Sequence, residues 1–246
     1  MADVNLLELT DVHTHIGAYH ILQGVSFNVP RADVTLLLGR NGAGKTTCLR
    51  TIMGLWRASQ GTIKLSGSDI TASTTPDIAR EAVAYVPESM GMFADLTVAE
   101  NLLLASRNSR NSAQMDRGRL DRIFLAFPAL KILWQHPAGL LSGGQKQMLS
   151  VARAMIEPRK LLLIDEPSKG LAPAIVENLR GALEHFKREE TTILMVEQNF
   201  EFARQLGDHV AVMDNGRIVH RGSMAQLADD PQLAHRLLGL SLAAAH

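Results

Sequence analysis

Gly39-Arg40-Asn41-Gly42-Ala43-Gly44-Lys45-Thr46-Thr47 decides the fold of this chain. It follows the apolar run Val34-Thr35-Leu36-Leu37-Leu38 and precedes a helical stretch. That strand–loop–helix setting is what the spacing Gly-x4-Gly-Lys-Thr requires of a phosphate-binding loop. Glycines permit backbone conformations closed to residues with a Cβ, so successive N–H groups can turn toward an anion. The helix that follows adds its positive end. On this reading Gly39, Asn41, Gly42, Ala43, Gly44, Lys45, Thr46 and Thr47 cradle a nucleotide. Lys45 reaches its β- and γ-phosphates, the Thr46 hydroxyl ligates Mg2+, and Thr47 helps hold the α-phosphate.

Working outward, Leu161-Leu162-Leu163-Ile164-Asp165-Glu166 reads as a strand covered on both faces that ends in two carboxylates. Ligands of parallel sheets bind outside the carboxyl ends of the strands, so both acids are expected beside the phosphate loop. Asp165 is then a Mg2+ ligand, through water, and Glu166 the general base that polarises the attacking water.

Further strands are expected at 5–9, 25–29, 34–38, 62–65, 83–86, 192–196, 210–213 and 217–221, and helices at 45–53, 98–107, 119–126, 144–156, 174–188 and 200–205. Thr97-x-x-Glu100 and Ser142-x-x-Gln145 both have the form of a capping box. The pattern is nearly all helical from about 89 to 157 and rich in strands on either side. This predicts one α/β domain over 1–246, with a nucleotide-binding core of 1–88 and 158–246 interrupted by an inserted helical subdomain. Residues 107–119 read as a polar, solvated loop, and the chain after Pro231 as a short helix followed by an Ala-Ala-Ala-His tail.

Composition narrows the partners. Lys+Arg and Asp+Glu both number 25, so the net charge of zero gives no electrostatic case for nucleic acid. The single cysteine, Cys48, rules out an intrachain disulfide, suits a reducing compartment and reads as a small core residue. The first residues lack the pattern of a signal peptide, and no apolar stretch approaches the ~20 residues that span a bilayer.

Leu141-Ser142-Gly143-Gly144-Gln145, a little upstream of Asp165, resembles the signature of ATP-binding-cassette (ABC) ATPases, and the likeness runs from about Leu6 to Leu240. The resemblance implies a P-loop core of ABC type with a small antiparallel β subdomain and the inserted helical subdomain. It also implies that Ser142, Gly143, Gly144 and Gln145 act on ATP held by an opposing cassette, identical or homologous, in a head-to-tail dimer. Tyr85-Val86-Pro87-Glu88, Gly170-Leu171-Ala172-Pro173 and Val196-Glu197-Gln198-Asn199 look like the ATP-binding subunits of branched-chain amino-acid importers. Glu88 stands where most cassettes place a glutamine that ligates magnesium, a role a carboxylate fills as well. Gln198 stands where most place a switch histidine; it can donate to a γ-phosphate but cannot carry a proton.

Several positions stay open at this level. The adenine-stacking position falls on Ile16, with Tyr19 the nearest aromatic, in a segment read as a loop containing His13, His15 and His20. Lys169 points either to a partner's phosphates or to water. Phe93, with Met90 and Met92, either packs internally or lines a cleft that receives a short helix of a membrane subunit. The implied whole is an ATP- and Mg2+-dependent subunit at the cytoplasmic face of the cell membrane. It would work with permease subunits and, indirectly, an external solute-binding protein. The competing readings are a soluble cassette ATPase acting on DNA or ribosomes, the ATPase of a lipid exporter, and a phosphoryl-transferring kinase.

Overall fold

The continuous apolar runs become the strands of a six-stranded sheet in the computed structural model, which describes residues 5–107 and 109–239. Asn108, the first four residues and the tail from Leu240, with its Ala-Ala-Ala-His end, lie outside the described residues. β1 (Asn5–Ile16) and β2 (Tyr19–Pro30) form a hairpin, and β3 (Val34–Leu38) leads through the glycine-rich loop into α1 (Lys45–Ile52). β4 (Gln60–Leu65), β5 (Ser68–Asp69), α2 (Thr75–Arg80) and β6 (Val83–Val86) follow. The described residues up to the next strand form helices and turns: α3 (Val98–Ala105), α4 (Arg117–Ala126), α5 (Pro128–Ile132) and α6 (Gly143–Met155). β7 (Leu161–Asp165), α7 (Pro173–Arg188), β8 (Thr192–Glu197), α8 (Phe200–Leu206), β9 (His209–Asp214), β10 (Arg217–Ser223), α9 (Met224–Asp229) and α10 (Pro231–Leu238) complete the chain.

The large sheet has the order β10-β9-β3-β8-β7-β6, parallel throughout except for the antiparallel edge strand β10. A smaller antiparallel sheet has the order β2-β1-β4-β5. Strand alternation divides the interior into two cores. Leu36, Leu38, Ile164, Met195 and Val212 face the helices α6, α7 and α8. Their neighbours Leu37, Leu163, Leu194 and Ala211 face α1 and the small sheet. A parallel sheet covered on both faces needs apolar residues at every position, which is why these runs show no polar alternation. Truncating one such residue, Leu163→Ala, should cost about 2–5 kcal/mol.

Both expected capping boxes form: Thr97 with Glu100 at α3, and Ser142 with Gln145 at α6. The segment 13–20 is not a loop. Strands β1 and β2 run to a two-residue turn at Gly17-Ala18, with His15 opposite His20 and Ile16 opposite Tyr19. The β-branched and aromatic residues there favour strand, and Gly17 supplies the left-handed φ of +59° for the turn. The His15 and His20 rings stack 4.1 Å apart, and His13 Nδ1 lies 2.9 Å from His20 Nε2. α2, α5 and α9, short helices of five or six residues, are additions to the expected elements.

Candidate functional site

The parallel strands β3, β7 and β8 deliver their carboxyl ends to one edge of the sheet. Leu38 pairs with Glu197 and Asp165 with Val196, so the phosphate loop and the acidic pair emerge side by side. At Gly39 the loop leaves β3 with φ +151°, and a Cβ there would sit 2.2 Å from the Met213 carbonyl oxygen of β9. Only glycine fits. Gly44, at φ +106°, starts α1, and no side chain caps that helix. The N–H groups of its first turn are therefore left for a ligand. Lys45 is 4% exposed and folds its ammonium back onto the carbonyls of Gly39 (2.9 Å) and Arg40 (3.1 Å), 3.7 Å from Glu166 Oε1. Burial pulls its pKa below the usual lysine value, with Glu166 and Asp165 opposing.

Asp165 is fully buried, and its hydrogen-bond donors are two neutral hydroxyls: Thr46 Oγ1 at 3.0 Å and Tyr85 OH at 3.1 Å. Burial raises its carboxyl pKa, against the pull of those hydrogen bonds, and pushes the Tyr85 phenol up to about 12. A buried carboxylate bonded only to hydroxyls, with the Thr46 oxygen alongside and Glu88 on the cleft wall, is a hard-oxygen donor set suited to Mg2+. Among the described residues no group of three or more His, Cys, Asp or Glu is placed to hold a metal alone. Magnesium sites of this kind draw their other ligands from phosphates and water.

Glu166 takes the left-handed φ of +46°, unusual for a residue with a side chain, and its N–H donates to the Val196 carbonyl at 2.9 Å. Its Oε1 accepts from Gln198 Nε2, which also donates to Asn41 Oδ1 of the phosphate loop. Gln198 thus spans loop and acid. Lys169 bonds Glu88 Oε1 at 2.6 Å and lies 3.3 Å from Glu166 Oε2. Lys169, expected to face water or a partner's phosphates, is 56% exposed and in this structure turns its ammonium onto acids of its own chain. The cleft between these groups measures about 370 Å3, and Ile21 of β2 also lines it, whereas neither Ile16 nor Tyr19 does.

The Ser142–Gln145 stretch stands apart. Ser142 accepts from Gln145 N (3.3 Å), and Gln145 Oε1 accepts from Ser142 N (2.9 Å). Ser142 and Gly143 are exposed, and a Cβ on Gly143 would meet nothing within 4 Å. Among the described residues no hydrogen bond or ion pair joins this helix start to the phosphate loop, and it does not line the cleft. The structure therefore brings together the loop, Glu88, Asp165, Glu166 and Gln198, and leaves Ser142, Gly143, Gly144 and Gln145 outside.

Two residues without an expected role belong to the site. Tyr85 anchors Asp165. Glu197, 2% exposed, accepts backbone N–H bonds from Ser168 (2.9 Å), Gln198 (3.0 Å) and Asn199 (3.1 Å). It ties the loop after β7 to the loop after β8, and burial raises its pKa against those bonds. The signal for it was in plain view: an apolar strand ending in an acid, the same pattern that marks Asp165.

A second cleft of about 360 Å3 opens where the core meets the helical segment, lined by Tyr85, Pro87, Met90, Arg107, Arg153 and Arg159 among others. Ser150 Oγ holds the Met90 carbonyl at 2.8 Å, and Arg153 donates to that of Gly91. The Phe93 ring, 50% exposed, lies beneath the Arg153 guanidinium at 5.5 Å, so it does not pack internally. Arg153 Nε is buried without a hydrogen-bond partner. No helix of the described residues is long and apolar enough to cross a membrane.

Residues 22–169 match the family model described as ABC transporter. The chain is 37% identical over 235 residues, 95% of its length and 100% of the relative's, to the high-affinity branched-chain amino acid transport ATP-binding protein BraG of Pseudomonas aeruginosa. It is 32% identical over 222 residues, 90% of its length and 93% of the relative's, to a probable branched-chain amino acid transport ATP-binding protein, LivF, of Archaeoglobus fulgidus. The crystal structure of a nucleotide-free ATP-binding cassette from an ABC transporter superposes with a TM-score of 0.79. That structure is 27% identical, over 94% of this chain and 97% of its own.

Proposed function

From the premise that this chain belongs to the ABC transporter family and is an ATPase, we propose that it energises an importer of branched-chain amino acids or related small polar solutes. It does so as a peripheral subunit on the cytoplasmic face of the cell membrane. One observation carries the mechanism: the phosphate loop and Glu166 line one cleft, with Asp165 bonded to Thr46 behind it, and the signature helix start lies outside that cleft with Gly143 facing open space. Two cassettes closing head to tail would bring each signature onto the other's ATP. Lys45 and the α1 N–H groups bind the phosphates, and the Ser142 hydroxyl with the Gly143 and Gly144 N–H groups bind the γ-phosphate of the partner's nucleotide.

Glu166, held by Gln198 and by its strained backbone, orients the water for in-line attack and accepts its proton. Thr46, Asp165 and Glu88 would hold Mg2+, which when bound neutralises charge developing on the phosphoryl oxygens. Gln198, bridging Asn41 and Glu166, reads the γ-phosphate through its amide without proton transfer. The cleft at Met90, Arg107, Arg153 and Arg159 receives a short segment of the membrane subunit, and its arginines suit an acidic residue there.

The test is reconstitution. The chain is co-expressed with candidate importer membrane subunits and a second cassette, and ATP-driven uptake of radiolabelled leucine, isoleucine and valine is measured in vesicles supplied with a candidate binding protein. Uptake abolished by Glu166→Gln is the expected result. Robust ATP hydrolysis with no association with any membrane subunit, and activity stimulated by DNA or ribosomes, would turn the reading toward a soluble ATPase.

A further inference from the structure

The phosphate cleft contains a cation that phosphate binding does not require. Lys169 lies on the loop after β7, where its own N–H donates to the Glu166 carbonyl (3.3 Å). The preceding Ser168 N–H is fixed by the buried Glu197 carboxylate (2.9 Å). This turn directs the Lys169 side chain back over Glu166, 3.3 Å from Oε2, and across to Glu88 Oε1 at 2.6 Å, on the far wall of the cleft. The two carboxylates raise the ammonium's pKa above the ordinary lysine value, Glu88 through its hydrogen bond first. Lys45 lies near enough to Glu166 for an ion pair, 3.7 Å away, but spends its hydrogen bonds on the Gly39 and Arg40 carbonyls. Glu88 and Glu166 thus line one cleft, with the buried Asp165 bonded to Thr46 of its wall, and Glu88 pairs with Lys169 alone among the described residues.

We propose that Lys169 is a positioning residue, the resident counter-ion of the nucleotide-free cleft, which holds Glu88 and Glu166 and gives them up when Mg2+–nucleotide enters. The proposal rests on the reading of Thr46, Glu88 and Asp165 as the metal side of the cleft. Lys169 is 56% exposed, so the pair separates at little cost, and the freed ammonium returns to water or to a phosphate oxygen. Two effects follow, and they have the same sign. With the metal present, Lys169 competes for Glu88 and weakens the metal's hold. Without it, Lys169 is the cation that offsets repulsion between the acids and the phosphates. Lys169 therefore sets how strongly nucleotide binding depends on magnesium.

The experiment measures the dissociation constant of a fluorescent ATP analogue on the purified full chain, in excess Mg2+ and in excess chelator. The readout is the constant in chelator divided by the constant in Mg2+. In Lys169→Met the ratio should rise about three- to tenfold, the scale expected for loss of one exposed ion pair, to Glu88, and one longer pair to the buried Glu166. Lys169→Arg should restore it to near the wild-type value. Asp165→Asn should collapse the magnesium effect with or without Lys169. An unchanged ratio in Lys169→Met beside a collapsed one in Asp165→Asn overturns the counter-ion role while leaving the metal side intact. An equal rise in Lys169→Arg and Lys169→Met overturns it too, because charge would then be irrelevant. A full magnesium effect in Asp165→Asn overturns the metal-side reading and this proposal with it.

Discussion

The helices α1 and α6 both begin at glycines, and they are finished in opposite ways. α1 starts at the left-handed Gly44 with no side-chain cap, inside a cleft walled by Glu88, Glu166 and Lys169. α6 starts at Ser142 with a complete capping box, and its first residue, Gly143, faces open space. An uncapped helix start is unstable unless something else satisfies its N–H groups. α1 thus leaves its first-turn N–H groups open to the cleft, whereas α6 carries its own cap and turns Gly143 outward while Gly144 packs on Ile175. In the proposed head-to-tail dimer the chain contributes one half to each of two sites, and breaking either half should leave different traces.

The largest effect is expected in the cleft. Glu166→Gln keeps the hydrogen-bonding shape but removes the base, so turnover should fall about 10²–10⁴-fold. ATP binding should survive, and ATP-driven dimers should accumulate in analytical ultracentrifugation. Undiminished turnover would exclude Glu166 as the base. A smaller effect tests the other helix. In Gly143→Ala the added methyl meets no atom of the chain within 4 Å, and alanine suits a helix at least as well as glycine. The melting temperature should hold or rise slightly, while a Cβ on the approach of a partner's phosphate reduces turnover about 10–100-fold and weakens self-association. Should turnover stay whole, the signature does not meet phosphate.

Glu197 connects two loops of the site, because it fixes Ser168 of the loop after β7 and Gln198 of the loop after β8 at once. In Glu197→Gln one acceptor oxygen becomes a donor that faces backbone N–H groups, leaving at least one of them unpaired at about 1–3 kcal/mol. A fall in melting temperature of about 3–10 °C is expected, with turnover reduced about tenfold and monomeric nucleotide affinity nearly unchanged. If nucleotide affinity collapses instead, Glu197 supports the phosphate loop rather than the two outer loops.

Much of this was legible in the residues, and the unread parts have one cause. Patterns local in sequence were readable: the phosphate loop, both capping boxes, and the apolar strands ending at Asp165. Contacts closed across the sheet were not. Tyr85 meets Asp165 across 80 positions, Lys169 meets Glu88 across 81, and Gln198 meets Asn41 across 157. No spacing encodes such pairs; the strand order does. From sequence the hairpin at 13–20 reads as a loop because His, Thr and Tyr alternate there with little apolar content, and pairing with β2 and β4 rather than hydrophobic period holds the strand.

The smallest predicted effect asks what the cleft costs the fold when no ligand fills it. Asp165 is buried, bonded to two hydroxyls, and its pKa is raised by burial and by the nearby Glu166 and Glu88. A carboxyl whose folded pKa lies above its unfolded value destabilises the fold once both states are ionised, because the folded state resists losing the proton. Asp165→Asn removes that penalty and leaves a carbonyl oxygen to accept one hydroxyl. The nucleotide-free variant should therefore melt about 2–4 °C higher at neutral pH, the response of a chain this size to ~1 kcal/mol. The gain should be full above the raised folded pKa, shrink as the pH falls through it, and vanish below the ordinary carboxylate value, where Asp165 is neutral in both states. With Mg2+ and ATP present the order should reverse, because only the wild type gains the ligand's stabilisation. A variant that melts lower than wild type without nucleotide, or a gain that persists in acid, would mean that Thr46 and Tyr85 more than offset the burial of the charge.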